Sequence, residues 1–179
     1  MTYGKAVNDN VLSDNPAESC LQVDIQVDPG LSKSGIPDER EFLDWSRKAY
    51  EEISSGQAEL SIIIVDDGQG RMLNKQYRGK DRPTNVLSFP AQTTLPDGMK
   101  ILGDIVICAP VVLDEAEKQS IPVKHHWMHM VVHGILHLMG YDHENDLDAE
   151  KMESLESHIM LGLGAGDPYQ YEKGERIIQ

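Results

Sequence analysis

Residues 21–28 read Leu-Gln-Val-Asp-Ile-Gln-Val-Asp, apolar and polar side chains alternating with period two. That pattern is a strand with one buried and one wet face. Downstream, Leu60 to Val65 is a run rich in β-branched residues, which predicts a second strand, buried on both faces. Asn85 to Pro90 and Ile101 to Cys108 read as two more, joined by a loop carrying Pro96, Asp97 and Gly98.

Between and after these runs the period changes. Pro37 opens a helical stretch in which Phe42, Trp45, Ala49 and Ile53 recur on one face, with acids in its first turn. Asp66, Asp67 and Gly68 turn the chain into a short helix through Met72, Leu73 and Tyr77. Further helices are expected over Pro110–Gln119, from near Pro122 to a stop at Gly140, and over roughly Asp146–Leu163. The sum is a single compact α+β domain, about a four-stranded mixed sheet packed with helices. Residues 1–19 read as a mobile polar tail, 20–163 as the domain, and 164–179 as a C-terminal tail.

A chain of 179 residues is long enough for one covered core without disulfides. Cys20 and Cys108 form no CxxC motif, which suits a reducing cytoplasm. No basic stretch leads into an apolar one at the N-terminus, so no signal peptide is expected. The most apolar segment, Trp127–Met139, is too short for a membrane span and holds three histidines.

The formal net charge is −14, which argues against coating nucleic acid or anionic membrane by bulk charge. The charge is unevenly spread, however. Residues 71–125 hold 8 basic and 6 acidic residues and are the only positive segment, with Arg71, Lys75, Arg78, Lys80 and Arg82 close together. All seven histidines lie between positions 125 and 158.

The strongest chemical signal is His133-Gly-Ile-Leu-His137-Leu-Met-Gly-Tyr-Asp-His143. Residues four apart on a helix stand one above the other, so His133 and His137 present imidazoles to one point. Gly140 lets the chain turn back and bring His143 to the same place. Three neutral imidazoles with a fourth position open are the ligand set of a catalytic Zn²⁺ site, although imidazole also suits nickel, copper or iron. Zinc peptidases with an H-E-x-x-H helix carry their general base directly after the first His. Here Gly134 occupies that position, which counts against proteolysis. His129, one turn earlier, is either a support for a ligand or substrate-facing. His125, His126 and His158 read as solvated or structural.

This motif, together with residues 73–90 (LNKQYRGKDRPTNVLSFP) and Leu102-Gly-Asp-Ile105, closely resembles the YbeY family of bacterial rRNA maturation endoribonucleases. The resemblance covers roughly residues 21–163 and implies a zinc-dependent, single-strand-specific endoribonuclease. It further implies action in maturation of the 16S rRNA 3′ end and in ribosome quality control, with the ribosome or small subunit and its assembly proteins as partners, and no membrane. A zincin-like metal-site helix, with the ion in a cleft, goes with it. His133, His137 and His143 match the family's zinc ligands, and Arg78 its functionally important arginine.

The residue types agree with those roles. Phosphodiester cleavage develops charge on nonbridging oxygens, and a guanidinium can hold two of them at once. Arg78, at the end of a predicted helix in the only basic segment, is the first choice for that clamp. Lys75, Lys80 and Arg82 either track the RNA backbone or are solvated. Asn85 and Ser88 either contact sugar or base or serve pairing and turns. Asp142 either orients a ligand imidazole or shapes the turn. The attacking group is either water activated at the metal or the RNA's own 2′-OH. Two rival readings are a zinc peptidase and a non-enzymatic ribosome-assembly factor with a structural metal.

Overall fold

The computed structural model describes residues 20–169, so the tail expected over residues 1–19 lies outside the described residues, as does the stretch 170–179. Four strands and five helices follow in the order β1 (Leu21–Val27), α1 (Glu39–Glu51), β2 (Ala58–Val65), α2 (Asp67–Arg78), β3 (Val86–Thr94), β4 (Lys100–Cys108), α3 (Ala109–Lys118), α4 (Val123–Leu138) and α5 (Asp146–Gly162). The α+β expectation holds, with one four-stranded mixed sheet in the order β1-β2-β4-β3. β1 and β4 pair parallel to β2, and β3 runs antiparallel to β4.

Each crossover helix exists for a local reason. Asp38 caps α1 through a reciprocal box, its carboxylate accepting from Glu41 N while the Glu41 carboxylate accepts from Asp38 N. Asp66 caps α2 by accepting from Gln69 N, and Gly79, at φ 70°, ends it. Strand β3 continues past Pro90, where the sequence pattern stops. It can do so because it is an edge strand, where a residue without an N–H is tolerated, and because its register slips between Pro90 and Thr93.

The main core lies on one face of the sheet. Ile62, Ile64, Ile105 and Ile107 meet Trp127, Val131, Ile135 and Leu138 of α4 there, with Phe42 and Trp45 of α1 and Ile159 and Met160 of α5 around them. Phe42 packs edge-on against Trp127, ring centroids 5.7 Å apart, and Trp127 Nε1 donates to Gly35 O. α4 is therefore buried on nearly every side, and its apolar residues run round the helix instead of forming a stripe. Any polar side chain it carries must find a partner inside the domain or face a cleft.

The opposite face carries a smaller cluster, Val65, Leu87, Val106 and Cys108, covered by Leu73 of α2 and Val111 of α3. Glu59, Ser61 and Ile63 stay partly exposed, so β2 is not buried on both faces as its apolar run predicts. α2 is too short to cover that whole side, and the two polar residues of β2 point where cover ends. Among the described residues no helix is long and apolar enough to cross a membrane.

Candidate metal centre

α4 carries His133 and His137 on its exposed seam, and the turn after Leu138 delivers His143 to the same place. Gly140 has φ 91°, a left-handed value that reverses the chain. Asp142 Oδ1 accepts the backbone N–H of its neighbour His143 at 2.7 Å, so this carboxylate shapes the turn. One ligand atom from each of His133, His137 and His143 lies within 4.8 Å of the others. The ring centroids are 4.5 Å (133–137), 5.1 Å (137–143) and 5.7 Å (133–143) apart.

The nitrogens are sorted by what lies behind them. His133 Nδ1 stands 2.7 Å from Glu156 Oε1, which fixes its proton on Nδ1 and leaves the Nε2 lone pair facing forward. His137 Nε2 lies 3.1 Å from His133 Nε2. Two nitrogens bound at about 2.0–2.1 Å to one tetrahedral ion stand about 3.3 Å apart, so this pair fits a shared divalent cation. Burial, followed by the neighbouring His133 and His143, lowers the His137 pKa to about 4, which keeps that imidazole neutral, the form that binds metal. The donor set suits a transition metal of the zinc class.

Glu156 is the residue the sequence reading missed. It is fully buried in α5 and accepts from His133 and from the Tyr169 hydroxyl, while His129 Nε2 lies 3.5 Å away. Burial on its own would raise its pKa, but His129 and His133 outweigh it and hold the carboxylate at about 2. At 3.5 Å the His129 contact is at the edge of hydrogen-bonding range, and His129 Nε2 has no closer partner. His129, His133 and Glu156 form a second convergent group behind the first. A signal was present in the sequence: Met152, Glu156, Ile159 and Met160 share one helix face, and an acid on an apolar stripe needs a partner.

Residues 164–169, assigned to the C-terminal tail on sequence grounds, pack against this arrangement. Ala165 is buried, Asp167 Oδ1 accepts from Ser157 Oγ, and the Tyr169 ring meets His129 edge-on.

The basic segment is divided. Asp81 takes Arg71 Nε at 2.8 Å and Lys75 Nζ at 3.2 Å, and their hydrogen bonds lower its pKa to about 2. Lys75 is thus partnered inside the protein. Arg78, Lys80 and Arg82 are exposed and form no ion pair among the described residues. Arg78 closes α2, a basic group at the negative end of the helix, next to Tyr77, whose ring packs 4.8 Å from Phe89. α2 lies across the sheet from α4, and no hydrogen bond or ion pair joins Arg78 to the histidines among the described residues. Ser88 Oγ, on the edge strand β3, reaches Gly134 O at a long 3.4 Å. Asn85 donates to Glu115 Oε2 at 3.1 Å and is partly buried.

The family model described as Endoribonuclease YbeY matches residues 32–164. This chain belongs to that family. Among solved structures, the solution structure of TM1509 from Thermotoga maritima is similar to it at 27% identity and a TM-score of 0.50, the match covering 82% of this chain and 98% of that one. The chain is thus a member of an endoribonuclease family. In this chain the position after the first histidine is Gly134, and the packing there leaves little room for a side chain. A Cβ on Gly134 would lie 2.8 Å from Ile105 Cγ2 and 2.9 Å from Cδ1, so any larger residue there would force Ile105 to shift.

Proposed function

We propose that this protein is a zinc-dependent, single-strand-specific endoribonuclease acting in 16S rRNA 3′-end maturation and ribosome quality control, in the cytoplasm and on the small subunit. The observation that carries the metal assignment is the 3.1 Å approach of the His133 and His137 Nε2 atoms, with His143 beside them. His133, His137 and His143 hold one divalent ion, which when bound supplies Lewis-acid polarisation of the phosphate and of water.

The protein's own residues do the rest. Glu156 keeps the His133 proton on Nδ1 and the ring aimed outward. Arg78, exposed and unpaired among the described residues, grips two nonbridging phosphate oxygens as charge builds on them. Lys80 and Arg82 follow the backbone of the strand to either side. The acidic remainder of the surface weakens loose RNA binding, so substrate presented on the ribosome is favoured over free RNA.

The test joins a zinc assay to cleavage of single- and double-stranded RNA for wild type, His137→Ala and Arg78→Glu. His137→Ala should lose both zinc and cleavage. Arg78→Glu should keep zinc and lose cleavage; zinc loss in that variant would make Arg78 a structural support. Analysis of product ends separates attack by water from attack by the 2′-OH, which leaves a cyclic phosphate.

A further inference from the structure

Beside the histidine cluster, on the N-terminal side of α4, lies a cleft of about 310 Å³. Its walls are the end of α3, the 119–122 turn, His125, His126 and His129, and the 166–169 segment, with Met130 and Met160 among its apolar residues. His129 belongs to both places, its ring centroid 6.1 Å from that of His133. That separation is close to the rise of one helical turn, about 5.4 Å.

The lining combines flat, apolar and polar groups. Tyr169 and the imidazoles offer ring faces and edges, and the methionines offer soft, polarisable packing. Glu115 supplies a fixed acceptor. Its Oε2 takes Asn85 Nδ2 at 3.1 Å and His126 Nε2 at 2.8 Å, and its Oε1 accepts no hydrogen bond among the described residues. Burial raises the Glu115 pKa, but His126 and Asn85 bring it below the usual carboxylate value, so the group stays an acceptor.

We infer that this cleft takes an unstacked nucleobase neighbouring the scissile phosphate, and that Glu115 selects a base bearing an exocyclic amino group over uracil. The inference rests on the RNA reading given above. A size of about 300 Å³ or more is typical of a small-molecule pocket, and a flipped base is read by stacking together with hydrogen bonds to its Watson–Crick edge. Cytosine and uracil give the sharpest comparison, since they differ at position 4 by a donor against an acceptor. A carboxylate accepts from the first and repels the second.

Glu115→Gln makes an unusual prediction. The Asn85 amide donates toward the carboxylate, so the glutamine must turn its oxygen to Asn85 and its NH2 into the cleft. That presents a donor where wild type has an acceptor, and the preference should invert.

The experiment titrates the full-length protein with cytidine and with uridine, nucleosides without phosphate, following the Met130 and Met160 methyl signals by NMR. Wild type should bind cytidine about tenfold more tightly than uridine, and Glu115→Gln should favour uridine. Gln119→Trp, at an exposed position on the rim, should block both while leaving the melting temperature unchanged. Equal affinities in wild type, or no shift at either methionine, overturn the inference. Because binding is read without cleavage, a protein that discriminates nucleosides but cuts no RNA would overturn the endonuclease reading alone. One that cuts single-stranded RNA without discriminating would overturn only this inference.

Discussion

His133 Nδ1 and Glu156 Oε1 stand 2.7 Å apart, joining the first histidine of the motif to a carboxylate 23 residues later in another helix. Removing the acceptor frees the imidazole to rotate and to exchange tautomers. Glu156→Gln should weaken zinc affinity about 10- to 100-fold, with Glu156→Ala at or beyond the far end of that range. Competition against a chromophoric chelator measures it. Unchanged affinity in both variants would show that the ring is held by packing alone.

Gly134 permits the close approach of α4 to β4. A methyl group there meets Ile105, which is fully buried and has little room to move. Gly134→Ala should cost about 1–3 kcal/mol in denaturant unfolding despite its gain in helix propensity. In an Ile105→Ala background the same change should cost less, and a strictly additive pair would sink the clash explanation.

Asp81 neutralises Arg71 and Lys75, both of which face solvent. Asp81→Asn should release them to phosphate. Binding to single-stranded RNA should tighten at low salt, and the salt dependence should steepen by about 0.7 per added contact. No change in slope would mean that the RNA passes elsewhere.

The depressed His137 pKa gives the metal-free protein a pH dependence of definite sign. The unfolded chain takes up a proton near the ordinary 6.5, the folded chain only near about 4. Between those values the unfolded state binds more protons, so this group makes stability fall as the pH falls through that window, with no contribution above it. Denaturant titrations of zinc-free protein should show the loss, and His137→Gln should remove part of it. An identical slope in the variant would assign the loss to other groups.

Much of this is legible in the sequence alone. Alternation at residues 21–28, the spacing of Phe42, Trp45 and Ala49, and Gly140 beyond the last helical turn each express local chemistry, and each predicted its element. His133, His137 and His143 were legible because a single helix and its turn bring them together. Glu156 was not, because its partners come from α4 and from residue 169, and only the packing of α5 beside α4 unites them. Lys75 likewise reads as a free base until the loop folds back and places Asp81 against it. Long-range pairing, more than residue type, separates what the pattern shows from what it hides.

The dependence of His133 on Glu156 and Tyr169 also has a meaning in time. Translation delivers the three histidines first and their supporting carboxylate afterwards. A nascent chain that stops before residue 156 carries every side chain proposed to touch the metal and lacks the group that aims the first of them. The centre is finished only once α5 and residue 169 have been made, so a product truncated before them would be a poor nuclease even with the whole histidine motif intact.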